Sequence, residues 1–449
     1  MNTASQSRSN QPLSHQSWGQ YPKANQNIRP LYWPSEGLAI DPQDQTLLCQ
    51  GLGRSYGDAC LNDAGTLLIT SALDRFISFD ETTGTLRCEA GVSLAEILRV
   101  FVPRGWFLPV LPGTSFVTVG GAIANDIHGK NHHAAGSFGN FVRRFCLRRS
   151  DGQTLLCSAD NNAELFRATI GGLGLTGMIE WVETTLKPIT NAWLDVETIR
   201  YGGLDDFFSL SEESERRFEY LVAWVDTSAT GKSLGRGILA RGNHSNDVGL
   251  RARKPPPGSA LEMPFNLPSF VLNPLTIRML NFGYYHKQIR RFERAVVPYR
   301  PFFSPLDGIG HWNRMYGKRG FLQWQCLVPV AEGRKAFTEI LATVVRSGLA
   351  SFVSVMKTMG SIPSLGLMSF PGPGVTLALD FPNVPESFKL MTRLDDLVSE
   401  AGGRIYPAKD ARMSAAHFQR FYPQWRNLER LRDPMFSSSL WRRLTGEVA

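Results

Sequence analysis

His128, Lys130, His132 and His133 fall within a few residues of one another in Pro109–Asn140, PVLPGTSFVTVGGAIANDIHGKNHHAAGSFGN, and glycines frame them. Imidazole and ammonium groups handle protons and hold anions. Glycine lets a ligand approach the main chain, and successive bare N–H groups form concavities for anionic oxygens. A phosphate-bearing cofactor is the expected guest. Two further glycine clusters, Gly51-Leu-Gly-Arg-Ser-Tyr-Gly57 and Gly171-Gly-Leu-Gly-Leu-Thr-Gly177, lie either side of this stretch. Taken singly each reads as readily as a tight turn. Neither carries the strand-to-helix dinucleotide fingerprint or the Gly-Lys-Ser/Thr ending of a P-loop, so an ordinary Rossmann or nucleotide-hydrolase reading is weak. The histidines lack carboxylate or cysteine partners in sequence, and no metal is expected. Lys357 interrupts the apolar run Phe352-Val-Ser-Val-Met, so its charge is expected to point into a cleft.

The elements that must position these groups follow from composition and pattern. A chain of 449 residues, 43% hydrophobic and 20% charged, suits two packed domains. The polar start, MNTASQSRSNQPLSHQSWGQ, reads as disordered over its first fifteen residues and has no apolar signal region. No run approaches the roughly eighteen apolar residues of a membrane span, and a cytoplasmic protein is expected. The six cysteines show no C-x-x-C pair and read as reduced thiols. A net charge of +8 is dispersed over Arg143-Arg144, Arg148-Arg149, Arg251–Lys254 and Lys287–Arg291. None of these carries a nucleic-acid-binding motif, so nucleic acid is not an expected partner, whereas an anionic membrane or a phosphorylated substrate is compatible.

Strands are expected at Thr66–Ser71 and Thr85–Ala90. A helix should follow with Ser93 as N-cap, Glu96 at N3, and Leu94, Ile97, Leu98 and Phe101 on one face, ending at Arg104-Gly105. This α+β unit closes near Lys187-Pro188. Farther on, strand Gly320–Pro329, helix Gly333–Ser347, strands Ser351–Lys357 and Val375–Phe381, helix Pro385–Ala401 and strand Arg404–Tyr406 make a split βαβ pattern. Lys357 and Thr376 lie on its adjacent strands. The proline-rich stretch Arg251–Pro274 is expected to be a mobile loop.

The segments GLGRSYGDACLN (51–62), LPGTSFVTVGGAIANDIHGKNHHAAGSFGN (111–140), DNNAELFRATIGGLGLTG (160–177), WNRMYGKRGFLQWQ (312–325) and YPAKDAR (406–412) together resemble the decaprenylphosphoryl-β-D-ribose 2′-oxidase family. That family belongs to the FAD-dependent oxidoreductases that include vanillyl-alcohol oxidase and the aldonolactone oxidases. The resemblance implies an α+β fold: a two-part FAD-binding domain of the PCMH type (16–192), a substrate domain on a ferredoxin-like antiparallel sheet (193–403), and a C-terminal segment returning to the first domain (404–449). It also implies that Gly51, Gly53, Arg54, Ser55, Tyr56 and Gly57 hold the pyrophosphate. Gly113, Thr118, Val119, Gly120 and Gly121 would continue the phosphate and ribityl contacts, Asn125 to His128 would run along the flavin, Ile179 would pack near the adenine half, and Tyr406 would return from the tail. Tyr56 stands where related enzymes attach FAD through a histidine, implying non-covalent FAD.

Lys409 matches the family's active-site lysine, with proton handling or stabilisation of reduced flavin as its implied role, and His128 is the second catalytic candidate. Gln325, Lys357 and Trp224 match substrate-pocket positions, with Lys130, Gln323 and Asp380 matching less closely. The implied reaction is oxidation of a secondary hydroxyl on a polyprenyl-phosphate-linked pentose to a keto-sugar, the first half of an epimerisation that a short-chain reductase partner completes. A peripheral contact with the inner face of the membrane follows from such a substrate. An aldonolactone or alditol oxidase acting on a free sugar is the alternative enzyme, and a non-catalytic binding protein would be colourless. The chain departs from the family's mycobacterial members at the substrate face, with Thr376 and Ala378 in place of an asparagine and a cysteine, and Ser304-Pro-Leu-Asp in place of His-Pro-Leu-Asp.

Overall fold

The computed structural model describes residues 15–253, 255, 261–268 and 270–446. Lys254 and the first fourteen residues, both read above, lie outside them. Three short runs, β1 (Asn27–Pro30), β2 (Leu47–Gln50) and β3 (Thr66–Ile69), pair in parallel in the order β1-β3-β2. The antiparallel pair β4 (Phe76–Asp80) and β5 (Thr85–Glu89) leads into helix α1 (Leu94–Phe101). Ser93 caps α1 by accepting the Glu96 N–H at 3.1 Å, and Leu94, Ile97, Leu98 and Phe101 are buried as their spacing predicts. A 3₁₀ turn carries the chain to Arg104, where Gly105 at φ +84° ends it.

The glycine-rich stretch is more regular than its sequence suggests. Thr118 accepts the Gly121 N–H at 3.1 Å and starts helix α2 (Val119–Ala124), and His132–Ala135 forms another turn. Burial of Val119, Ala122 and Ile123 in the core outweighs the poor helix propensity of two adjacent glycines. Strands β6 (Val142–Arg148), β7 (Thr154–Ser158) and β8 (Met178–Thr185) then complete a five-stranded antiparallel sheet ordered β4-β5-β8-β6-β7. Strand, α1 and α2 side chains share one core.

The remainder is dominated by one eight-stranded antiparallel sheet, built from the same βαββαβ pattern twice. The first unit is β9 (Trp193–Tyr201), α3 (Leu204–Glu215), β10 (Tyr220–Val225), β11 (Gly237–His244), α4 (Pro274–His286) and β12 (Phe292–Pro298). The second is β13 (Phe321–Val328), α5 (Val330–Arg346), β14 (Ser354–Met359), β15 (Gly374–Pro382), α6 (Pro385–Glu400) and β16 (Arg404–Ile405). Sheet order is β12-β9-β11-β10-β14-β15-β13-β16, so the units join through their second strands, with Ala223 opposite Met356 and Trp224 opposite Val355.

The second unit follows the pattern expected from sequence, and the first has no counterpart among the expected elements. Strand β10, YLVAWV, has no clean alternation, and α4 turns apolar side chains outward, so neither shows a half-buried period. The stretch read as a loop from 251 to 274 contains a short strand, Leu261–Glu262, paired in parallel with Ile309–Gly310. Strand β14 starts at Ser354, three residues later than expected, because the Ser351 N–H leaves the ladder for Thr227 Oγ1 at 2.9 Å. At the other end β16 pairs with β13, which carries the sheet past residue 403.

Period-2 alternation sorts the sheet into two faces. Leu221, Ala223, Met356, Leu377, Leu379, Leu322, Trp324 and Cys326 join α3, α5 and α6 in one core. The alternate positions put Trp224 on β10, Lys357 on β14, Thr376, Ala378 and Asp380 on β15, and Gln323 and Gln325 on β13 on the opposite face. Register aligns Gln323 with Asp380, Gln325 with Ala378, and Lys357 with Thr376.

Candidate active site

Three sequence-distant segments meet where a side chain would not fit. A Cβ on Gly57 would lie 1.7 Å from the Asp410 carbonyl oxygen, and one on Gly51 would lie 2.4 Å from Thr118 Oγ1. The first glycine loop is thus pressed against α2 on one side and the Lys409 turn on the other. Arg443, on the C-terminal helix Ser439–Thr445, clamps the junction: Nε and Nη2 donate to the two Asp58 oxygens at 2.8 Å, and Nη2 also reaches Asp410 Oδ2 at 2.8 Å. Burial pushes the Asp58 carboxyl up, and the guanidinium works against that rise. Asp307 fastens the neighbouring loop by accepting the Ser115 N–H at 2.7 Å and its hydroxyl at 2.9 Å.

Asp126 organises the histidine loop. Its carboxylate accepts the Ser137 hydroxyl at 2.9 Å, the Gly139 N–H at 2.9 Å and the Ser369 hydroxyl at 2.5 Å. His128 is thereby presented to the polar face of the large sheet. Its Nδ1 lies 2.9 Å from Lys357 Nζ, which also donates to the Gly129 carbonyl at 2.8 Å. Its Nε2 lies 2.9 Å from the Gln325 amide, which in turn meets Thr376 Oγ1 at 3.1 Å. Burial and the adjacent Lys357 charge push the imidazole well below its usual pKa. A neutral ring has one nitrogen free to accept, and donors stand at both: the Lys357 ammonium at Nδ1 and the Gln325 amide nitrogen at Nε2. Tyr406 closes the far side, donating from its hydroxyl to the Asn125 carbonyl at 2.8 Å and stacking on Phe370 with ring centroids 4.5 Å apart.

Lys409 is close enough for its charge to act on His128, and its Nζ lies 3.9 Å from the Tyr56 ring centroid. Tyr56 meets Phe321 edge-on at 5.4 Å, and Phe321 stacks on Tyr316 at 4.3 Å. Gln323 donates to Asp380 Oδ1 at 2.5 Å, and the buried Tyr316 hydroxyl acts on the same carboxyl. Burial drives the Lys409 ammonium down and the Asp380 carboxyl up, with their mutual attraction opposing both shifts. Each of the two buried groups therefore holds its charge less firmly than it would in water.

These residues fit a flavin nucleotide. A Cβ on Gly113 would meet nothing within 4 Å, and one on Gly121 would meet only Thr118 Oγ1, so both glycines border open space along the loop. The buried Asn125 Oδ1 has no partner, and among the described residues no chain acceptor meets the Leu52, Gly53 and Ser55 amides. Residues 40–158 match the FAD binding domain family. The chain is 38% identical over 419 residues to decaprenylphosphoryl-β-D-ribose oxidase of Mycolicibacterium smegmatis, covering 90% of each chain. The chain belongs to the decaprenylphosphoryl-β-D-ribose oxidase family. It is an FAD-dependent oxidoreductase. An uncharacterized protein of Streptomyces coelicolor is 31% identical over 79% of this chain and all of its own. Mouse L-gulonolactone oxidase is 30% identical over 32% of this chain and 33% of its own.

Within this family frame the remaining candidates divide. Lys130 donates to the Phe303 carbonyl at 3.1 Å, burial pulls it down to about 8, and its charge acts on Lys357. Trp224 donates its indole N–H to the Phe352 carbonyl at 3.0 Å and packs on Tyr284 at 4.6 Å. His133 meets the Phe218 carbonyl at 2.9 Å, away from the His128 network. His132 is buried with neither ring nitrogen partnered and, through burial first and Lys357 second, is held down to about 4. Ile179 is buried on β8. The third glycine cluster serves packing: the Gly171 and Leu173 amides donate to the Ile123 and Ala124 carbonyls, ending α2. Asp126 falls within the stretch expected along the flavin, and no local signal distinguishes Tyr316 and Phe370.

Proposed function

We propose that this flavoenzyme oxidises a secondary hydroxyl of a polyprenyl-phosphate-linked pentose to a keto-sugar, as the first half of an epimerisation completed by a short-chain reductase. The relative covering 90% of the chain bears the name of such an oxidase. The observation that carries the reading is the polar row Gln323, Gln325, Lys357, Thr376 and Asp380 on one sheet face, opposite His128 and Lys409. Amides, hydroxyl and ammonium in one plane suit a sugar, and the cluster of Lys130, Lys357 and Lys409 suits an anionic substrate over a neutral lactone.

Bound FAD supplies the acceptor for the hydride that leaves the carbinol carbon. It would be held by Gly51–Gly57, Gly113, Thr118–Gly121, Asn125, His128, Ile179 and Tyr406, with 16–192 and the tail after the large sheet as its domain. FAD is bound non-covalently, Tyr56 being no nucleophile for its ring: burial raises the phenol well above its usual pKa. Acid precipitation is expected to leave the yellow colour in the supernatant; colour in the pellet would refute this. Lys409 takes the hydroxyl proton, Asp380 tunes it, and Gln325 and Lys357 orient the ring. His128 has contacts at both ring nitrogens, so a positioning role costs none of them, whereas a base role breaks one.

Anaerobic mixing with the prenyl-phosphate pentose should bleach the flavin and yield a product two mass units lighter, by the loss of two hydrogens. Bleaching by free aldonolactones or alditols but not by the phosphopentose would transfer the enzyme to the alternative reading.

A further inference from the structure

Helix α4 lies with its apolar side outward. Ile277 and Asn281 are its buried residues, while Leu275, Met279 and Phe282 are 67%, 66% and 59% exposed at a helical i, i+4, i+7 spacing. Phe265 and Phe270 before the helix and Ile289 after it extend the patch. Arg278, Lys287, Arg290 and Arg291 are exposed on or just past the helix, against carboxylates only at Glu262 and Glu293 in the described part of 261–294. Basic residues beside outward-facing Leu, Met and Phe are the composition of an interfacial helix.

The inner side of α4 is part of the pocket's framework. Tyr284 packs on Trp224, and Asn281 donates to the Ser351 carbonyl at 3.1 Å. Ser351 Oγ in turn accepts the Asp380 N–H at 2.9 Å. One helix therefore carries an exposed apolar, basic surface on one side and the substrate face on the other.

We propose that α4 with its flanking segments rests on an anionic bilayer surface, so that a prenyl chain stays in lipid while its sugar phosphate enters the pocket. The location of the patch beside the pocket rests on the substrate reading above; the bilayer contact itself does not. A second copy of this chain is the less favoured occupant. Two-fold pairing would bring this basic patch against a basic copy of itself, whereas an anionic leaflet attracts it, by about fivefold in partitioning for each basic residue at the surface.

The test uses the full holoenzyme and sedimentation with vesicles of equal parts phosphatidylcholine and phosphatidylglycerol. The wild type should sediment at low salt and far less at high salt or with phosphatidylcholine alone. Met279→Glu/Phe282→Glu should lose binding about tenfold or more while keeping its FAD, its melting temperature and its rate on a short-prenyl, water-soluble phosphopentose. Arg290→Glu/Arg291→Glu should lose the salt-dependent part alone. Equal sedimentation of wild type and Met279→Glu/Phe282→Glu would overturn the proposal, as would failure of the wild type to sediment. A wild-type dimer in sedimentation velocity that this variant dissolves would also overturn it, assigning the patch to a second copy. Vesicle binding without flavin reduction by any phosphopentose would leave the surface standing and remove the substrate reading.

Discussion

At the scale of single residues, the proposed chemistry rests on Lys409 and His128, which are held differently. Lys409 is poised for proton exchange because burial and the Asp380 carboxylate act on it in opposite directions. Lys409→Ala is expected to lower anaerobic flavin reduction by on the order of 10²–10⁴, with FAD content and fold retained; a rate within a few-fold of wild type would transfer the proton to another group. The pH dependence has a definite sign. Proton acceptance requires the Lys409–Asp380 pair to be less than fully protonated, so flavin reduction should rise with pH through the pair's titration. The Asp380 carboxylate raises the lysine's affinity for its proton. Asp380→Asn should therefore move the rising limb of the pH–rate profile to lower pH; a limb that stays in place would exclude Asp380 from tuning Lys409.

At the scale of elements, Gly121 leaves part of α2 bare where the proposed flavin site lies. Gly121 has no positive φ, so a larger residue meets no backbone strain there. Its missing Cβ leaves open space bounded only by Thr118 Oγ1 at 3.1 Å. Gly121→Val should lose bound FAD, read as the ratio of visible to ultraviolet absorbance, while stability changes by about 1 kcal/mol or less from helix propensity. Full flavin occupancy in the folded variant would show that this space faces something other than the cofactor. The contrast with Gly57 is instructive: there a Cβ would strike the Asp410 backbone, and substitution should damage the fold itself. One glycine thus borders open space, and the other sits against packed backbone.

At the scale of the whole molecule, the C-terminal helix ties together loops that the chain separates by hundreds of residues. Arg443 pairs with Asp58 and Asp410, both almost fully buried. Removing it strands two carboxylates, and Arg443→Ala is expected to cost about 3–5 kcal/mol, measured by denaturant unfolding. Without the guanidinium, burial and the neighbouring Asp410 charge would raise the folded-state pKa of Asp58 farther above the unfolded value. Such a group is destabilising when ionised, so the deficit of the variant should shrink as pH falls toward the range where Asp58 protonates. A deficit that is constant or grows on acidification would mean that the clamp acts through packing and not charge.

Local order carries some of this protein without help. The Ser93 cap and the spacing of Leu94, Ile97, Leu98 and Phe101 specify α1, and the alternation and helical periods from 320 to 406 specify a βαββαβ unit, because both rest on neighbours in sequence. The glycine loops point to a phosphate-bearing cofactor, as the FAD-binding family match bears out. What the order of residues does not contain is which side chains meet. His128 and Gln325 are 197 residues apart, His128 and Lys357 are 229 apart, and they touch only because strand register puts Gln325, Thr376 and Lys357 on one face of a twice-built sheet. A one-residue slip in any of those strands would turn its side chain into the opposite core. The pairing of Asp380 with Lys409, the role of Gly57 and the outward apolar face of α4 have the same origin: burial and long-range register are properties of the packed chain, and no local period records them.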